Sequence, residues 1–380
     1  MKVLQIVEPG KDGVFVHVNG LINYLRRNGI SVDLFYSTKR SSNGLTQIIE
    51  ELRDDVRCCL YDMQVGPHPT FRDILVAFRI LQYILLKKPD IIHLHSSKAG
   101  AIGRISSLFF DPDRIFYTPN AYYGMGARPK RFGWFFRIVE KLLRNRAITI
   151  NVSFDEQEWA MKNIKLPLER SLVIPNGVST IRFAPVEKLE RSLQKEKYGF
   201  RSDDIVIGSV GRLCEQKNPM LLLKAFDKIT KNHCKCRLLY IGDGELVKEF
   251  QWYVIKNNLS DKIVLVKQMD DLRSFYSAID VFALTSRYEG LSISLIEALA
   301  SGCPAVITDV PGNREMVRFG FNQILYARSN HVDDLVEKMS VSLKFITSGN
   351  SNNHYDIVNK KLSSEVVYKG ILEEYRKSQI

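Results

Sequence analysis

The stretch DVFALTSRYEGLSISLIEALASG, from Asp280 to Gly302, divides into three parts with different residue patterns. DVFALTS is short and apolar, which predicts a β-strand, and the apolar run from Ser292 to Ser301 predicts a helix after a short loop. Glu289 lies in the loop, whereas Glu297 lies about one and a half turns inside the helix. A carboxylate among apolar residues needs a polar partner. This strand–loop–helix unit therefore predicts both an α/β fold and a polar site.

Groups that favour an anion lie close to this loop. Gly290 and the N–H groups of Leu291 and Ser292 come at the predicted helix start, where a phosphate is stabilised. A second stretch, SVGRLCEQKN, places Arg212 and Lys217 after another predicted strand. Arginine offers a planar fork of donors and lysine a compact charge, and the two together suit a diphosphate. The alternatives are a solvated loop and structural salt bridges to the two glutamates.

Strand and helix patterns alternate along the whole chain. Runs such as KVLQIVE and DIIHLHS are separated by amphipathic runs, and the alternation restarts with IVIGSVGRL after a charged stretch over 180–201. Such alternation predicts parallel sheets covered by helices on both faces. Because 380 residues are too many for one ordinary core, we predict two doubly wound domains, over 1–180 and 181–355. A C-terminal helical segment over 356–380 is predicted to cross back to the first domain.

Two glycine-containing turns follow predicted strands. EPGKDGVFVHV places Gly13 before a helix, and YIGDGEL places Gly242 and Gly244 at a strand end. Glycine lets the backbone approach a ligand closely, although a tight turn without a ligand is an equal alternative. In YIGDGEL, Asp243 could also cap the next helix. The first turn lacks the G-x-G-x-x-G spacing, which argues against a dinucleotide site.

The charge of the chain is +12, which favours a polyanionic partner: a nucleic acid, an anionic lipid or a phosphorylated small molecule. Residues 128–146, RPKRFGWFFRIVEKLLRNR, interleave aromatic and basic side chains. This pattern is typical of a segment in a lipid interface. A helix packed on its own domain with a solvated basic face is the alternative.

Several classes of protein are disfavoured. MKVLQIVEPG predicts a first strand rather than a signal peptide, and no apolar run reaches the length of about 20 residues that a membrane span needs. The cysteines lack zinc-ligand spacing and indicate reduced thiols in a cytosolic protein. The sequence contains no zinc finger or RNP motif, so we predict that it does not bind nucleic acid.

The stretch RYEGLSISLIEALASGCPAVITDVPGNREMV, with VIPNGV, GSVGRLCEQKN and YIGDGEL, resembles the retaining glycosyltransferases of the GT-B fold, glycosyl transferase group 1 (family 4). The pair of glutamates separated by seven residues is the hallmark of that family. PDIIHLHSSKAGAIGR and YTPNAYY look like members that build bacterial surface polysaccharides. The resemblance covers nearly the whole chain and implies two Rossmann-like domains facing a cleft, the first for the acceptor and the second for the donor.

The resemblance also implies roles for individual residues. Arg212 and Lys217 would bind the donor diphosphate and would act in catalysis with Glu289, which would bind hydroxyls of the donor sugar. Glu297 would bind the ribose. The remaining donor-binding residues implied are Gly13, Gly242, Gly244, Gly290, Leu291 and Ser292.

On the acceptor side, this sequence departs from the family pattern. Many members have a histidine where this chain has Asn120, and asparagine cannot act as a base. Asn120 is predicted to contact the acceptor or the sugar. His95, at the end of a predicted strand, and Lys98 are further candidates for such a contact, whereas His93 is predicted to lie in the core.

The implied reaction moves a sugar from a nucleotide diphosphate to an acceptor hydroxyl and keeps the anomeric configuration. We expect no metal and no cofactor, a UDP-sugar in preference to a GDP-sugar, and a lipid-linked glycan acceptor. We also expect a cytoplasmic enzyme, peripheral on the inner membrane through 128–146. The alternatives are a sugar-nucleotide epimerase or a phosphorylase of the same fold, a basic nucleic-acid-binding protein, and a non-catalytic membrane scaffold.

Overall fold

The computed structural model describes residues 1–8, 12–40, 43–53, 58–66, 69–122, 124–125, 133–269, 271–348 and 352–379. The chain divides into two compact units: Met1–Gly177 with Ser364–Ile380, and Val178–Ser363. The sequence placed boundaries after residues 180 and 355. In the structure the C-terminal segment 356–380 is divided between the two units.

The first unit contains a parallel sheet with the strand order β3-β2-β1-β4-β5-β6-β7. Its strands are β1 Lys2–Val7, β2 Ser31–Tyr36, β3 Leu60–Asp62, β4 Ile91–His95, β5 Ile115–Thr118, β6 Ile148–Asn151 and β7 Ser171–Val173. β1 and β4 fall within the runs KVLQIVE and DIIHLHS that the sequence predicted as strands, whereas no strand was predicted at β3. β3 lies at the sheet edge, and its three residues are too few to show a periodicity.

The second unit repeats this arrangement, with the order β10-β9-β8-β11-β12-β13 and parallel pairing. Its strands are β8 Ile205–Val210, β9 Cys236–Ile241, β10 Ile263–Val266, β11 Val281–Leu284, β12 Ala305–Thr308 and β13 Leu325–Ala327. Both sheets therefore have the strand order of the Rossmann fold. The prediction of two doubly wound α/β domains is confirmed.

Helices cover both faces of each sheet. In chain order they are α1 Asp12–Arg27, α2 Asn43–Arg53, α3 Phe71–Lys87, α4 Ser97–Ser106, α5 Gly133–Leu143, α6 Phe154–Asn163, α7 Lys188–Lys197, α8 Pro219–Thr230, α9 Val247–Lys256, α10 Arg273–Ala278, α11 Ile293–Ala300, α12 Glu315–Arg318, α13 Val332–Thr347, α14 His354–Lys361 and α15 Ser364–Lys377. α14 packs on α11 in the second unit, whereas α15 packs on α1 in the first. These contacts explain why the C-terminal segment is divided.

The two faces of the first sheet have separate cores. Val3 and Val7 of β1 pack in the core that contains residues of α1, α2 and α15. Leu4 and Ile6 pack in the core that contains residues of α3, α4 and α6. Successive side chains of a strand point to opposite faces, so a strand covered on both sides is apolar throughout. This burial explains the continuous apolar runs of the sequence.

Candidate functional site

The candidate site of the second unit lies where the strand order reverses. From β8 the chain continues to β9 on one side, and β11 pairs with β8 on the other side. The connections from β8 and β11 therefore diverge and leave a crevice beyond their carboxyl ends, where ligands bind in open α/β sheets. The loops over 211–218 and 285–292 follow these two strands. All the charged residues predicted for donor binding lie in these loops or in α11.

Hydrogen bonds join the two loops directly. The amide N–H of Arg287 donates to the carbonyl of Gln216 at 2.8 Å, and the Gln216 side chain donates to the carbonyl of Tyr288 at 3.2 Å. The guanidinium of Arg287 also contacts the carboxylate of Glu215 at 2.8 Å. Since each loop holds the other, their side chains are fixed relative to one another before any ligand binds.

The central contact of the site is an ion pair between two predicted residues. Lys217 Nζ donates to Glu289 Oε1 at 2.6 Å, and the hydroxyl of Ser286 donates to the same oxygen at 2.5 Å. Only 18% of the Lys217 side chain and 8% of the Glu289 side chain are exposed. An ammonium group has three N–H donors, so Lys217 keeps donors for a second anion such as a phosphate. The salt bridge considered from the sequence is present, and it holds the lysine inside the crevice.

Arg212 lies on the same loop as Lys217 but at its surface. It is exposed, and its guanidinium donates to the side-chain oxygen of Gln216 at 3.4 Å. Gln216 also binds the loop after β11, so the contact ties the guanidinium to the crevice rim. An exposed guanidinium that is held at this position can bind the phosphate of an incoming ligand.

Glu297 lies inside α11, where its neighbours are buried. The hydroxyl of Tyr276, on α10, donates to Glu297 Oε2 at 2.8 Å. Burial raises the pKa of Glu297 to about 7, while the Tyr276 hydrogen bond and the charge of Arg182 oppose that shift. The carboxyl group therefore changes protonation near neutral pH. Sequence reasoning missed Tyr276; its signal is a tyrosine in α10, five residues before the first residue of the apolar strand β11.

The three residues predicted to offer backbone donors come directly before α11. Gly290, Leu291 and Ser292 are buried in the turn that precedes the helix. Ser292 is the N-cap residue, and its hydroxyl contacts that of Ser294 at 3.0 Å. Within the described residues, the Ser292 side chain makes no capping hydrogen bond to the helix. The positive end of the helix dipole thus adds to the charges of the crevice.

Gly242 and Gly244 lie against the backbone of the loop after β8. A Cβ atom on Gly242 would come within 2.0 Å of the Gly211 carbonyl oxygen, and one on Gly244 within 2.4 Å of the Leu213 carbonyl oxygen. Gly244 also has a φ of +157°. The two glycines allow the loops after β8 and β9 to touch, which explains them without a ligand. Asp243 accepts a hydrogen bond from the Gly244 amide at 2.8 Å, and α9 begins later, after Leu246.

A further glycine, missed by sequence reasoning, supports the loop that carries Glu289. A Cβ atom on Gly312 would lie 2.4 Å from the Glu289 carbonyl oxygen and 2.6 Å from that of Gly290. The φ of Gly312 is +83°, and the Glu289 amide donates to the carbonyl of Pro311 at 3.3 Å. The Pro-Gly dipeptide is the turn signal that could have indicated it. The turn after β12 therefore fixes the backbone beside the ion pair.

The residues predicted for the first unit lie in different environments. His95 is the last residue of β4 and is fully buried, with Nε2 2.7 Å from the side-chain oxygen of Gln5 and its ring centroid 4.0 Å from that of His93. Burial and the neighbouring histidines His93 and His17 lower the pKa of His95 well below its ordinary value. The structure therefore places His95 in the core as a neutral group. Gly13 lies in the first turn of α1.

Lys98 and Asn120 are held by contacts within the first unit. Lys98 donates to the carbonyl of Gly66 at 2.6 Å and pairs with Asp73 at 3.0 Å. Asn120 follows β5 with a φ of +52°. Among the described residues, its side-chain amide nitrogen is buried without a hydrogen-bond partner. Of the predicted acceptor contacts, Asn120 and His95 each have a buried side-chain nitrogen, Nδ2 and Nδ1, without a partner among the described residues. Such an atom costs free energy unless a partner binds.

Comparison with known families matches both units. Residues 11–182 match the model described as Glycosyltransferase Family 4, and residues 190–354 match the model described as Glycosyl transferases group 1. Together the two models cover most of the chain in the expected order. The residues of the β8 and β11 crevice fall within the second match.

Similar proteins are named as glycosyltransferases. The chain is 29% identical to a UDP-Gal:alpha-D-GlcNAc-diphosphoundecaprenol alpha-1,3-galactosyltransferase of Escherichia coli over 265 residues, covering 68% of this chain and 67% of that protein. It is 24% identical to the capsular polysaccharide biosynthesis glycosyltransferase CapM of Staphylococcus aureus over 375 residues, covering 94% and 93%.

Solved structures show the same fold. Sucrose-phosphate synthase from Thermosynechococcus elongatus has a TM-score of 0.83 at 19% identity, covering 99% of this chain and 98% of its own. Anabaena HepE in complex with UDP-glucose has a TM-score of 0.82 at 19% identity, covering 99% and 100%. With a family 4 domain followed by a group 1 domain on this framework, the chain belongs to the glycosyltransferases of the GT-B fold.

Proposed function

We propose that the chain is a retaining glycosyltransferase of bacterial surface polysaccharide biosynthesis. It transfers a sugar from a nucleotide-diphosphate sugar, a UDP-sugar in preference to a GDP-sugar, to a hydroxyl of a lipid-linked glycan. The proposal depends chiefly on the buried ion pair between Lys217 and Glu289 at the β8 and β11 crevice. The named substrates of the Escherichia coli relative, UDP-Gal and a diphosphoundecaprenol-linked sugar, support the donor and acceptor classes.

Each polar group of the crevice has a task in this reaction. Lys217 binds the donor diphosphate through the N–H donors that Glu289 leaves available, and Arg212 adds a second cation at the rim. As the glycosidic bond to phosphate loosens, negative charge grows on the leaving oxygen and the sugar gains oxocarbenium character. Fixed donors aimed at such a charge are worth about 3 kcal/mol each. The start of α11 contributes in the same direction.

The carboxylates bind hydroxyl groups. Glu289, held in place by the ammonium of Lys217, accepts from the donor sugar, and Glu297 accepts from the ribose. The leaving phosphate accepts the proton of the acceptor hydroxyl on the face from which it departs. The configuration is then retained, and no protein base is needed. We accordingly propose that the reaction requires neither a metal ion nor a cofactor.

The proposed acceptor indicates where in the cell the enzyme would act. A lipid-linked glycan is presented at a membrane surface, so we propose a peripheral position on the cytoplasmic face of the inner membrane. The basic and aromatic segment 128–146 is the contact proposed from the sequence; residues 128–132 lie outside the described part of the chain. None of the described helices is both long enough and apolar enough to cross a bilayer.

The test begins with the donor. Purified protein is screened for thermal stabilisation by UDP-, GDP-, ADP- and dTDP-sugars, and the best donor is incubated with a lipid-linked acceptor in the presence and absence of EDTA. Mass spectrometry identifies the product, and NMR of the new glycosidic bond determines its configuration. The expected result is an EDTA-resistant product with the donor's anomeric configuration. Inversion, or sugar-nucleotide conversion without an acceptor, would overturn the proposal.

A further inference from the structure

α3 has apolar residues on both of its sides. Val76, Ile80, Tyr83 and Ile84 face the core of the first unit. Six large hydrophobic residues of the same helix are exposed instead: Phe71, Ile74, Leu75, Phe78, Leu85 and Leu86. Their spacing follows the helical period, so they form one outward stripe. An exposed apolar stripe of this size marks a surface that contacts a protein or a membrane.

The charged residues of α3 have a one-sided distribution. Asp73 is the single acid between residues 71 and 88, and it pairs with Lys98 at 3.0 Å. The exposed charges beside the apolar stripe are all basic: Arg72, Arg79, Lys87 and Lys88. The stripe is therefore flanked by positive charge that no acid of this helix offsets.

α5 has the same arrangement in a stronger form. Its acid, Glu140, is buried, where it accepts from Arg104 and from the hydroxyl of Tyr117, each at 2.7 Å. Its exposed residues are four large hydrophobic residues and two basic ones: Trp134, Phe135, Ile138, Leu142, Arg137 and Lys141. In the described chain, no residue of α5 belongs to either core of this unit. The helix thus buries its acid and exposes the aromatic side chains of Trp134 and Phe135.

α4 connects these two helices. It packs against both α3 and α5, and the turn at its end exposes Ile105, Leu108 and Phe109, the last with 89% of its surface accessible. The guanidinium of Arg146 donates to the carbonyls of Ser107, Leu108 and Phe110, at 2.9, 2.8 and 3.2 Å. These bonds fix the turn that presents Phe109. We call α3, residues 105–109 and α5 together the outer helix layer.

We infer that the outer helix layer docks on a lipid bilayer with anionic headgroups, with α3 and Phe109 entering the interface beside α5. The inference extends the membrane contact proposed above from one helix to three segments. Apolar residues bordered by arginine and lysine match the chemistry of such an interface. A second copy of the chain fits poorly, because a two-fold contact would set one basic surface against another.

The first experiment compares matched variants of the full chain. Wild type, Leu75→Glu with Phe78→Glu, and Trp252→Glu with Ile255→Glu are sedimented with vesicles of phosphatidylcholine, with or without phosphatidylglycerol. Trp252 and Ile255 are exposed on α9 in the second unit and serve as the control pair. We expect salt-sensitive binding of wild type and of the control to anionic vesicles only. The α3 variant should bind at least about tenfold more weakly.

Two further variants distinguish the contribution of α3 from that of α5, and membrane docking from catalysis. Trp134→Glu with Leu142→Glu should weaken vesicle binding as the α3 variant does. Glu297→Gln should bind vesicles like wild type, even if the proposed transfer is wrong. The α3 variant should still transfer sugar to a water-soluble acceptor. Wild-type binding by the α3 variant would overturn the inference. Self-association of the wild type that the α3 variant abolishes, without vesicle binding, would assign the layer to a second copy instead.

Discussion

The two sheets have the same strand order, but the residues at their points of reversal differ in charge. Beyond β8 and β11, Lys217 and Glu289 form an ion pair at the edge of a crevice. Within β1 and β4, the strands at which the order of the first sheet reverses, the side chains of His93, His95 and Gln5 are fully buried. Equal topology has therefore produced a charged pocket in one unit and a neutral polar core in the other. Topology locates a site, and loop residues decide its chemistry.

Replacing Lys217 with alanine is expected to have the largest effect on transfer, because it removes the charge that distinguishes the second unit from the first. The substitution removes the buried cation of the crevice and leaves the Glu289 carboxylate with the hydrogen bond from the Ser286 hydroxyl. Transfer should fall by about a hundredfold to a thousandfold, as for loss of one preorganised donor. The measurement is kcat with saturating donor, with thermal unfolding of both proteins.

The control for this prediction is Lys224→Ala, because Lys224 is exposed on α8 outside the loop. It should keep wild-type transfer. A double substitution with Glu289→Gln tests whether the pair acts as a unit, in which case the two losses will not add. Normal turnover by Lys217→Ala would remove the charged crevice from the mechanism.

Glu297→Gln should weaken donor binding by about tenfold to a hundredfold, because a charged acceptor is replaced by a neutral one. With a pKa of about 7, Glu297 gains its proton as the pH falls through neutrality. Donor affinity of the wild type should therefore decrease from about pH 8 to about pH 6, whereas that of Glu297→Gln should stay constant. Calorimetric titration with the donor nucleotide measures both.

The stability of the protein gives an independent check on the pKa of Glu297. Donor affinity should decrease as the pH falls, whereas stability should decrease as the pH rises. The folded pKa of Glu297 is raised above its ordinary value, so its contribution to stability is complete below about pH 4.5 and is lost as the pH rises through 7. The loss is on the order of 3 kcal/mol. Urea unfolding of wild type, but not of Glu297→Gln, should show it. If the free energy of unfolding changed with pH in the same way in both proteins, Glu297 would not be the group that ionises in this pH range.

The sequence predicted the charged pocket better than it predicted the neutral core. Arg212, Lys217 and Glu289 follow buried strands, and a cation or an acid at such a strand end is unusual enough to stand out. His95 also ends a strand, but a histidine can be neutral, so the pattern of β4 does not separate a buried residue from an exposed one.

Other features depend on tertiary contacts and leave little trace in the sequence. Tyr276 comes from a different element than Glu297, and pattern alone does not bring α10 and α11 together. Gly312 is needed because a Cβ atom at that position would collide with the backbone carbonyls of Glu289 and Gly290, in the loop after β11. The sequence of α5 showed aromatic and basic residues, but the burial of Glu140 determines which of its faces points outward.

His17→Leu tests the neutral core of the first unit. Both ring nitrogens of His17 are buried without a partner among the described residues, and burial lowers its pKa to about 4. Stability from the neutral ring is complete above about pH 6.5 and is lost as the pH falls toward 4. The variant should therefore be more stable than wild type by about 2 kcal/mol at about pH 5.

Urea unfolding at that pH and at about pH 8 supplies the measurement. The difference between the two proteins should shrink at the higher pH, where the histidine is neutral in both states. A variant that is less stable than wild type at both values would mean that the ring is satisfied by partners and supports the core.

The smallest effect on stability and transfer is expected from breaking a solvent-exposed ion pair with the same N–O distance as the crevice pair. Lys228 Nζ lies 2.6 Å from Asp333 Oδ1, the same distance as in the Lys217–Glu289 pair, but 50% and 74% of the two side chains are exposed. Solvent and salt screen exposed charges, and holding two long side chains costs entropy. Lys228→Ala should therefore change neither the unfolding midpoint nor the rate of transfer measurably. If its effect on transfer matched that of Lys217→Ala, burial would not be what distinguishes the crevice pair.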